Sequence, residues 1–163
     1  MSSGSLGQGL SVGVGMALGL RLKAIAARVF VLLGDGELQE GQVWEAAMAA
    51  PKFGLDNLVA IVDDNRIQLM GDTVAIMSVA AIAAKRRAFN WHVLEVDGHD
   101  PAAIVGACAA AGRAKGRPTV ILAHTVKGKG VSFMENTHRW HSATVTEDLK
   151  DKALAELCAR EVR

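Results

Sequence analysis

Four short apolar segments recur along the chain, and each is bounded by polar or glycine-containing turns. They lie at residues 28–33, 58–62, 91–96 and 118–123. A continuous apolar run of this length is typical of a strand that is buried on both faces of a sheet. Helical segments separate the four runs, which is the order found in βαβ units. The pattern therefore predicts an α/β fold with a doubly wound, mostly parallel sheet between two helical layers, a three-layer αβα architecture.

Apolar residues also recur at the spacing of helices. The predicted helices cover residues 8–24, 39–50, 74–89 and 101–115. Pro51 is expected to end the second of them. The capping-box pattern at Thr144–Glu147 predicts a final amphipathic helix, with Leu149, Ala153 and Leu157 facing inward.

The amino-acid composition excludes several classes of protein. Half of the 163 residues are apolar and 21% are charged, which is enough for a packed core. The formal net charge is +1, so the sequence lacks the basic excess typical of a nucleic-acid binder. No apolar run approaches the ~20 residues of a membrane-spanning helix. Because no linker or repeat interrupts the chain, we predict a single domain over residues 1–163, soluble and cytoplasmic, that binds neither nucleic acid nor membrane.

Polar residues follow the first two predicted strands at the point where each strand ends. Gly34-Asp35-Gly36 follows the first strand, and Asp63-Asp64-Asn65 follows the second. Ligands of open parallel sheets bind outside the carboxyl ends of the strands. Carboxylate and amide oxygens suit Mg²⁺ or Ca²⁺, and glycines let a diphosphate approach backbone N–H groups at a helix N-terminus. Gly-Asp-Gly alone also fits a tight turn without a ligand, but two polar strand ends one crossover apart favour a metal and diphosphate site.

These residues resemble a known motif. Gly-Asp-Gly followed after 28 residues by Asn is similar to the thiamin diphosphate-binding motif. The continuation Glu37-Leu38-Gln39-Glu40-Gly41 resembles the transketolase family, in particular the type whose N-terminal subunit is encoded separately. Further similar segments are Gly4–Gly9, Asp97–Asp100 and Thr125–Val131. The resemblance covers the whole chain and implies the thiamin diphosphate-binding fold of the diphosphate-domain type.

The resemblance implies a metal and cofactor site at the two strand ends. Asp35 and Asn65 would bind the metal, Mg²⁺ or Ca²⁺, through side-chain oxygens, and Ile67 would bind it through its backbone carbonyl. Gly34 and Gly36 would lie against the diphosphate of thiamin diphosphate. Four of these five residues also belong to the strand ends that the apolar pattern singles out.

Other positions are implied to contact the cofactor by the resemblance alone. Gly4 and Leu6 match the segment beside the thiazolium ring, and Leu69 matches an apolar position beside the cofactor. His141 matches a histidine near the diphosphate, although Ser142 replaces the glycine that usually follows it.

Two glutamates are implied to be catalytic. Glu40 and Glu45 match the acidic groups that connect paired active sites across the subunit interface of the family. The resemblance therefore implies a homodimer whose active sites form between subunits.

The chain resembles only part of a transketolase. The diphosphate-binding domain of the family carries about a hundred further residues before Gly4, which brings it near the upper size of a domain. A separate pyrimidine-binding domain supplies the glutamate that activates the cofactor. We therefore expect a transketolase N-terminal subunit or fragment that acts in two-carbon ketol transfer between sugar phosphates, and whose partner is a C-terminal, pyrimidine-domain subunit.

Two other hypotheses stay open at this point. The chain could be a truncated, non-catalytic domain that self-associates or regulates and keeps a relic cofactor site. It could also be a small active transketolase, in which Glu40 or Glu45 supplies the missing acid.

Overall fold

A computed structural model of the protein describes residues 2–161. Its helices and strands, in chain order, are α1 (Gln8–Leu22), β1 (Val29–Gly34), α2 (Gly41–Lys52), β2 (Leu58–Asp64), β3 (Ile67–Gln68), β4 (Gly71–Asp72), α3 (Thr73–Met77), α4 (Ile82–Ala88), β5 (His92–Asp97), α5 (Pro101–Arg113), β6 (Thr119–His124) and α6 (Glu147–Glu161). Short 3₁₀ turns lie at Gly36–Gln39 and His138–Trp140. Within this described part, no helix is long and apolar enough to cross a membrane.

The main sheet holds four parallel strands in the order β1-β2-β6-β5. Their register places Gly34 opposite Asp63 and Asp64 opposite His124. Because the strands are parallel, their carboxyl ends meet at one edge of the sheet. The predicted α/β fold with a parallel sheet is confirmed, and the polar ends of β1 and β2 are neighbours.

Helices cover both faces of the sheet, which gives the predicted three layers. The core beneath α1 and α2 includes Leu10, Ala17, Val43, Leu58 and Val120. On the opposite face, α5 packs Ala111 against Ile121 of β6. The cover on this second face stops short of β1, because Phe30 and Leu32 are 51% and 72% exposed. One face of the outermost strand is therefore apolar and open.

The helix predicted over residues 74–89 is interrupted, so the prediction of one continuous helix was wrong. It is divided into α3 and α4, and Ala81 between them has a φ of 58°. The side chain of Asp72 caps the start of α3 by accepting a hydrogen bond from the N–H of Val74 at 2.8 Å. The amide of Gln39 donates to the carbonyl of Met77, the last residue of α3, at 2.8 Å. This partner lies far away in sequence, so local periodicity could not indicate the break.

Pro51 lies inside the last turn of α2 instead of ending the helix. Proline leaves the carbonyl four residues earlier without its helical donor. Here that carbonyl belongs to Ala47, and it accepts a hydrogen bond from the indole of Trp91 at 2.8 Å. A side chain from the start of β5 therefore compensates for the proline and lets α2 continue to Lys52.

The final helix is attached by both apolar and polar contacts, and a methyl group of Leu157 lies against Gly130. Thr146, and not Thr144, caps it, because its hydroxyl accepts a hydrogen bond from the N–H of Leu149 at 3.4 Å. Leu157, which was expected to face inward, is 40% exposed. Glu156 instead accepts hydrogen bonds from the N–H and the hydroxyl of Ser132, at 2.5 and 2.7 Å, in the loop after β6.

Helix α4 carries a charged residue into the core. Arg86 is fully buried, and its guanidinium carbon lies 5.0 Å and 5.5 Å from the ring centroids of Trp44 and Trp91. None of its three side-chain nitrogens has a hydrogen-bond partner. Burial lowers the pKa of Arg86 from its ordinary value to about 10. The two indole faces stabilise the cation in part, and no anion in the described chain neutralises it.

Candidate cofactor and metal site

Asp35 lies at the carboxyl edge of the sheet, directly after β1, and is 2% exposed. Its N–H donates to the carbonyl of Asp63 at 3.1 Å, so the ends of β1 and β2 are joined. Its carboxylate accepts hydrogen bonds from the N–H of Gly36 at 2.8 Å, the hydroxyl of Thr73 at 3.2 Å and the N–H of Arg66. Burial nonetheless raises the pKa of Asp35, because desolvation outweighs these hydrogen bonds. A cation beside this carboxylate would favour its ionised form.

The short hairpin of β3 and β4 carries Thr73 back to Asp35. Ile67 pairs with Asp72, and the N–H of Thr73 donates to the carbonyl of Arg66 at 2.9 Å. The hairpin also explains Gly36, because a Cβ on this glycine would lie 2.9 Å from the Cβ of Gln68. Asp35 and the segment that contains Asn65 and Ile67 are therefore brought together, as predicted.

Hydrogen bonds engage both the nitrogen and the oxygen of the Asn65 side-chain amide. Its side-chain nitrogen donates to a carboxylate oxygen of Asp63 at 3.0 Å. Its side-chain oxygen accepts a hydrogen bond from the N–H of Ile67 at 2.9 Å. The hydroxyl of Thr125, just after β6, donates to the other oxygen of Asp63. The side-chain oxygen of Asn65 accepts only the hydrogen bond from Ile67 among these contacts, so it keeps a second lone pair that a hard cation can use.

A chain of ionisable side chains continues across the sheet edge from Asp64. The carboxylate of Asp64 lies 2.9 Å from Nδ1 of His124, and Nε2 of the same ring lies 3.5 Å from Glu95. Glu95 in turn pairs with Arg87 at 3.1 Å. Apart from Asp64, sequence reasoning did not single out these residues, because they come from β6, β5 and α4.

Glu37 was also missed, although it stands directly after Gly-Asp-Gly. Its carboxylate accepts hydrogen bonds from the N–H of Gly7 at 2.8 Å and from the N–H of Gly34 at 3.2 Å. Gly7 has a φ of 82°, and a Cβ there would lie 2.8 Å from the Cβ of Glu40. Glu37 thus joins the predicted Gly4–Gly7 segment to the end of β1.

The two glycines beside Asp35 differ in the space that they leave. A Cβ built on Gly34 would meet nothing within 4 Å, so there is room for a ligand on that side. The N–H groups of Gly34 and Gly36 are both engaged, by Glu37 and Asp35 respectively. A diphosphate could therefore rest against Gly34, whereas direct donation from these two N–H groups would require the carboxylates to move.

Two adjoining cavities open at this edge. The first, of about 340 Å³, is lined by residues that include Asp35, Thr73 and His124. The second, of about 430 Å³, is lined by residues that include Asn65 and Ile67. Arg66 and Asp64 line both, so they stand between the two cavities.

The remaining predicted residues lie outside the two cavities. Leu6 and Leu69 are 56% and 55% exposed, and Gly4 is exposed near Leu6. His141 is exposed at the end of the second 3₁₀ turn. The exposed residues Glu40 and Glu45 lie at the start of α2 and one turn into it. The described contacts bring none of these side chains to Asp35, and the predicted roles of the six residues remain predictions.

The proposed metal ligands at the strand ends include one carboxylate and otherwise neutral oxygens. Among residues 2–161, no group of three or more His, Cys, Asp or Glu side chains could hold a metal ion. A metal here would be bound by Asp35 together with neutral oxygens, those of the Asn65 amide and the Ile67 carbonyl. Mg²⁺ accepts such a set, because it completes its octahedron with phosphate oxygens and water.

Comparison with known proteins identifies the family of the chain. The sequence matches the family described as Transketolase, thiamine diphosphate binding domain, over residues 1–158. The chain belongs to the transketolase family. Transketolase from Campylobacter jejuni superposes on it with a TM-score of 0.90 at 32% identity, over 97% of this chain and 26% of that one. The Pichia stipitis transketolase complex with sedoheptulose 7-phosphate gives a TM-score of 0.87, also at 32% identity, over 96% of this chain and 25% of that one.

Two similar transketolase sequences are bacterial subunits. A 6-deoxy-6-sulfo-D-fructose transketolase subunit from Clostridium sp. (strain MSTE9) is 45% identical over 96% of this chain and 57% of that protein. An apulose-4-phosphate transketolase subunit from Phocaeicola vulgatus is 41% identical over 98% of this chain and 57% of that protein. Human transketolase is 42% identical over 96% of this chain and 25% of its own length. The chain thus spans a little over half of these bacterial subunits.

Proposed function

We propose that the chain is the diphosphate-binding unit of a transketolase that transfers a two-carbon ketol group between sugar phosphates. The observation that carries this proposal is the buried carboxylate of Asp35, hydrogen-bonded to the N–H of Arg66 between Asn65 and Ile67, in a transketolase-family chain. The single-domain assignment of residues 1–163 and a cytoplasmic location belong to the same proposal.

The residues at the strand ends fit a divalent metal and thiamin diphosphate. Asp35, Asn65 and Ile67 offer a carboxylate, an amide and a carbonyl oxygen, and the open space at Gly34 leaves room for a diphosphate. Mg²⁺, or Ca²⁺ in its place, would neutralise the diphosphate, and bound thiamin diphosphate supplies the electron sink that ketol transfer requires. We assign Gly36 to the same diphosphate contact.

The four other residues predicted to contact the cofactor would lie at the rim of this site. Gly4 and Leu6 are assigned to the thiazolium side, since Glu37 ties their segment to Gly34. Leu69 is assigned to the apolar side of the cofactor, and His141 to the diphosphate. The latter assignment requires the loop after β6 to carry His141 inward from its exposed position.

A second polypeptide is part of the proposed enzyme. Relatives from Clostridium and Phocaeicola are named as transketolase subunits, which supports the proposal that this chain works with a second, pyrimidine-domain subunit. We also propose that two copies pair, with Glu40 and Glu45 at their interface. Both glutamates are exposed beside α2, where a partner could reach them.

A self-associating, non-catalytic module is the second candidate. It is favoured by one observation, the open apolar face of β1 with Phe30 and Leu32 exposed. In most parallel sheets helices cover both faces of such a strand. This candidate requires no cofactor, so cofactor binding separates the two.

The test is calorimetric titration of the purified chain with thiamin diphosphate, with Mg²⁺ and with a chelator. We expect binding only with Mg²⁺. Asp35→Ala should weaken it at least tenfold, because it removes the proposed carboxylate ligand. Asp148→Ala, which removes an exposed carboxylate in the first turn of α6, should leave the affinity unchanged.

If the chain binds no thiamin diphosphate under any of these conditions, with or without a pyrimidine-domain subunit, the proposed function is wrong. Equal binding by the wild type and Asp35→Ala would place the cofactor elsewhere.

A further inference from the structure

We propose that Asp63 and Thr125 are positioning residues, which fix the amide of Asn65 so that its oxygen faces the metal. This inference rests on the proposed function, because it concerns the same metal site. Neither residue is assigned as a metal ligand. Their role is to determine whether the oxygen or the nitrogen of the Asn65 amide faces the metal.

The first step is the placement of the Thr125 hydroxyl. Thr125 follows β6, which pairs with β2 so that Ala123 lies opposite Asp63. A Cβ on Gly98 would lie only 2.3 Å from the methyl group of Thr125, so the methyl occupies the space that the missing side chain leaves. With its methyl group in this space, Thr125 directs its hydroxyl to Asp63, to which it donates a hydrogen bond.

The second step is the orientation of the Asp63 carboxylate. One oxygen accepts the hydrogen bond from Thr125, and the other accepts the hydrogen bond from the amide nitrogen of Asn65 at 3.0 Å. An ionised carboxylate is only an acceptor, so it can face the NH₂ group of an asparagine and not its oxygen. Asp63 therefore selects one of the two orientations of the amide.

The third step is that a second neighbour selects the same orientation. The N–H of Ile67 donates to the side-chain oxygen of Asn65 at 2.9 Å. If the amide were flipped, its NH₂ group would face this N–H and its oxygen would face the Asp63 carboxylate. Both contacts would then be repulsive. The oxygen is therefore held on the side of Ile67, whose carbonyl is the other neutral donor of the proposed site.

This arrangement matters because only the oxygen of an asparagine amide binds a hard cation such as Mg²⁺. Partners that orient ligands are commonly worth 10–100-fold in metal affinity. We therefore expect Asp63→Asn to weaken Mg²⁺-dependent binding of thiamin diphosphate by about 10-fold or more. An asparagine at position 63 can accept from or donate to the amide of Asn65, so both orientations become available.

The experiment compares Asp63→Asn, Thr125→Val and Thr125→Ser by calorimetry with Mg²⁺ and thiamin diphosphate. Thr125→Val keeps the shape of the side chain and removes the hydroxyl, so it should weaken binding. Thr125→Ser keeps the hydroxyl and should restore most of the affinity. Melting temperatures measured with a chelator check that the variants fold.

The matched control is Asp64→Asn, which removes the same charge one residue away. Asp64 bonds to His124 and not to Asn65, so we expect a smaller loss than with Asp63→Asn. In parallel, the side-chain NH₂ resonance of Asn65 in ¹⁵N spectra should shift and broaden in Asp63→Asn, even without metal, because both amide orientations become populated. An unchanged resonance would overturn the positioning role.

The outcomes separate this inference from the proposed function. If the wild type shows no Mg²⁺-dependent binding, the proposed function fails. If the wild type binds and Asp35→Ala abolishes binding, but Asp63→Asn and Thr125→Val bind like the wild type, the positioning role is wrong. Equal losses in Asp63→Asn and Asp64→Asn would show a general charge effect and also overturn it.

Discussion

Asp35 keeps its carboxylate buried among three hydrogen-bond donors at the end of β1. Its position and that of Asn65 could be predicted from the sequence, because both residues follow apolar runs that form neighbouring strands. Glu37 and Thr125 could not be predicted as parts of the site. Their partners, Gly7 and Asp63, lie 30 and 62 residues away, and only the folded sheet brings them together.

A second single residue, the buried Arg86, should destabilise the fold. Its pKa in the folded protein, about 10, lies below the ordinary value of an arginine, so the unfolded chain holds the proton more tightly. The cost is fully present at pH 7 and decreases only as the pH rises above 10. Arg86→Met should therefore raise the free energy of unfolding by about 1–3 kcal/mol, since a flexible apolar side chain replaces a buried charge without an anion.

Urea denaturation at pH 7 measures this change. Arg87→Met is the control, because Arg87 is exposed and pairs only with Glu95 in a contact of about 0–1 kcal/mol. A loss of stability in Arg86→Met would mean that the two tryptophan faces outweigh the desolvation of the guanidinium.

Among the elements, the four main strands agree with their prediction to within a residue or two, because buried apolar runs identify them. The interruption between α3 and α4 could not be predicted from periodicity, since the contact observed there, from Gln39 to Met77, joins residues far apart in sequence. The β3–β4 hairpin was missed for a related reason. Each of its strands has only two residues, too few to show alternation.

The open apolar face of β1 leads to a prediction about the association of two copies of the chain. If copies of the chain cover Phe30 and Leu32, then Leu32→Glu should shift the purified protein toward monomer at micromolar concentration. The reason is that a charge would be buried in the contact. Light scattering measures the change, and Val105→Glu on α5, where Val105 is 68% exposed, serves as control. Association that survives Leu32→Glu, or a wild type that is already a monomer, would remove β1 from the interface.

At the scale of the whole chain, a transketolase-family fold gathers Asp35, Asn65 and Ile67 at the carboxyl edge of its main sheet. It spans 57% of two bacterial transketolase subunits, at 45% and 41% identity. The family, the fold and the strand-end residues were accessible from the sequence, because a short motif encodes them. Subunit pairing and substrate choice depend on surfaces that such a motif does not describe, so they remain proposals.

A crystal structure of the chain with Mg²⁺ and thiamin diphosphate tests the central claim most directly. The account predicts one ion at about 2.0–2.1 Å from the Asp35 carboxylate, the Asn65 amide oxygen and the Ile67 carbonyl, with the diphosphate beside Gly34. An ion and diphosphate bound elsewhere on a correctly folded chain would contradict it.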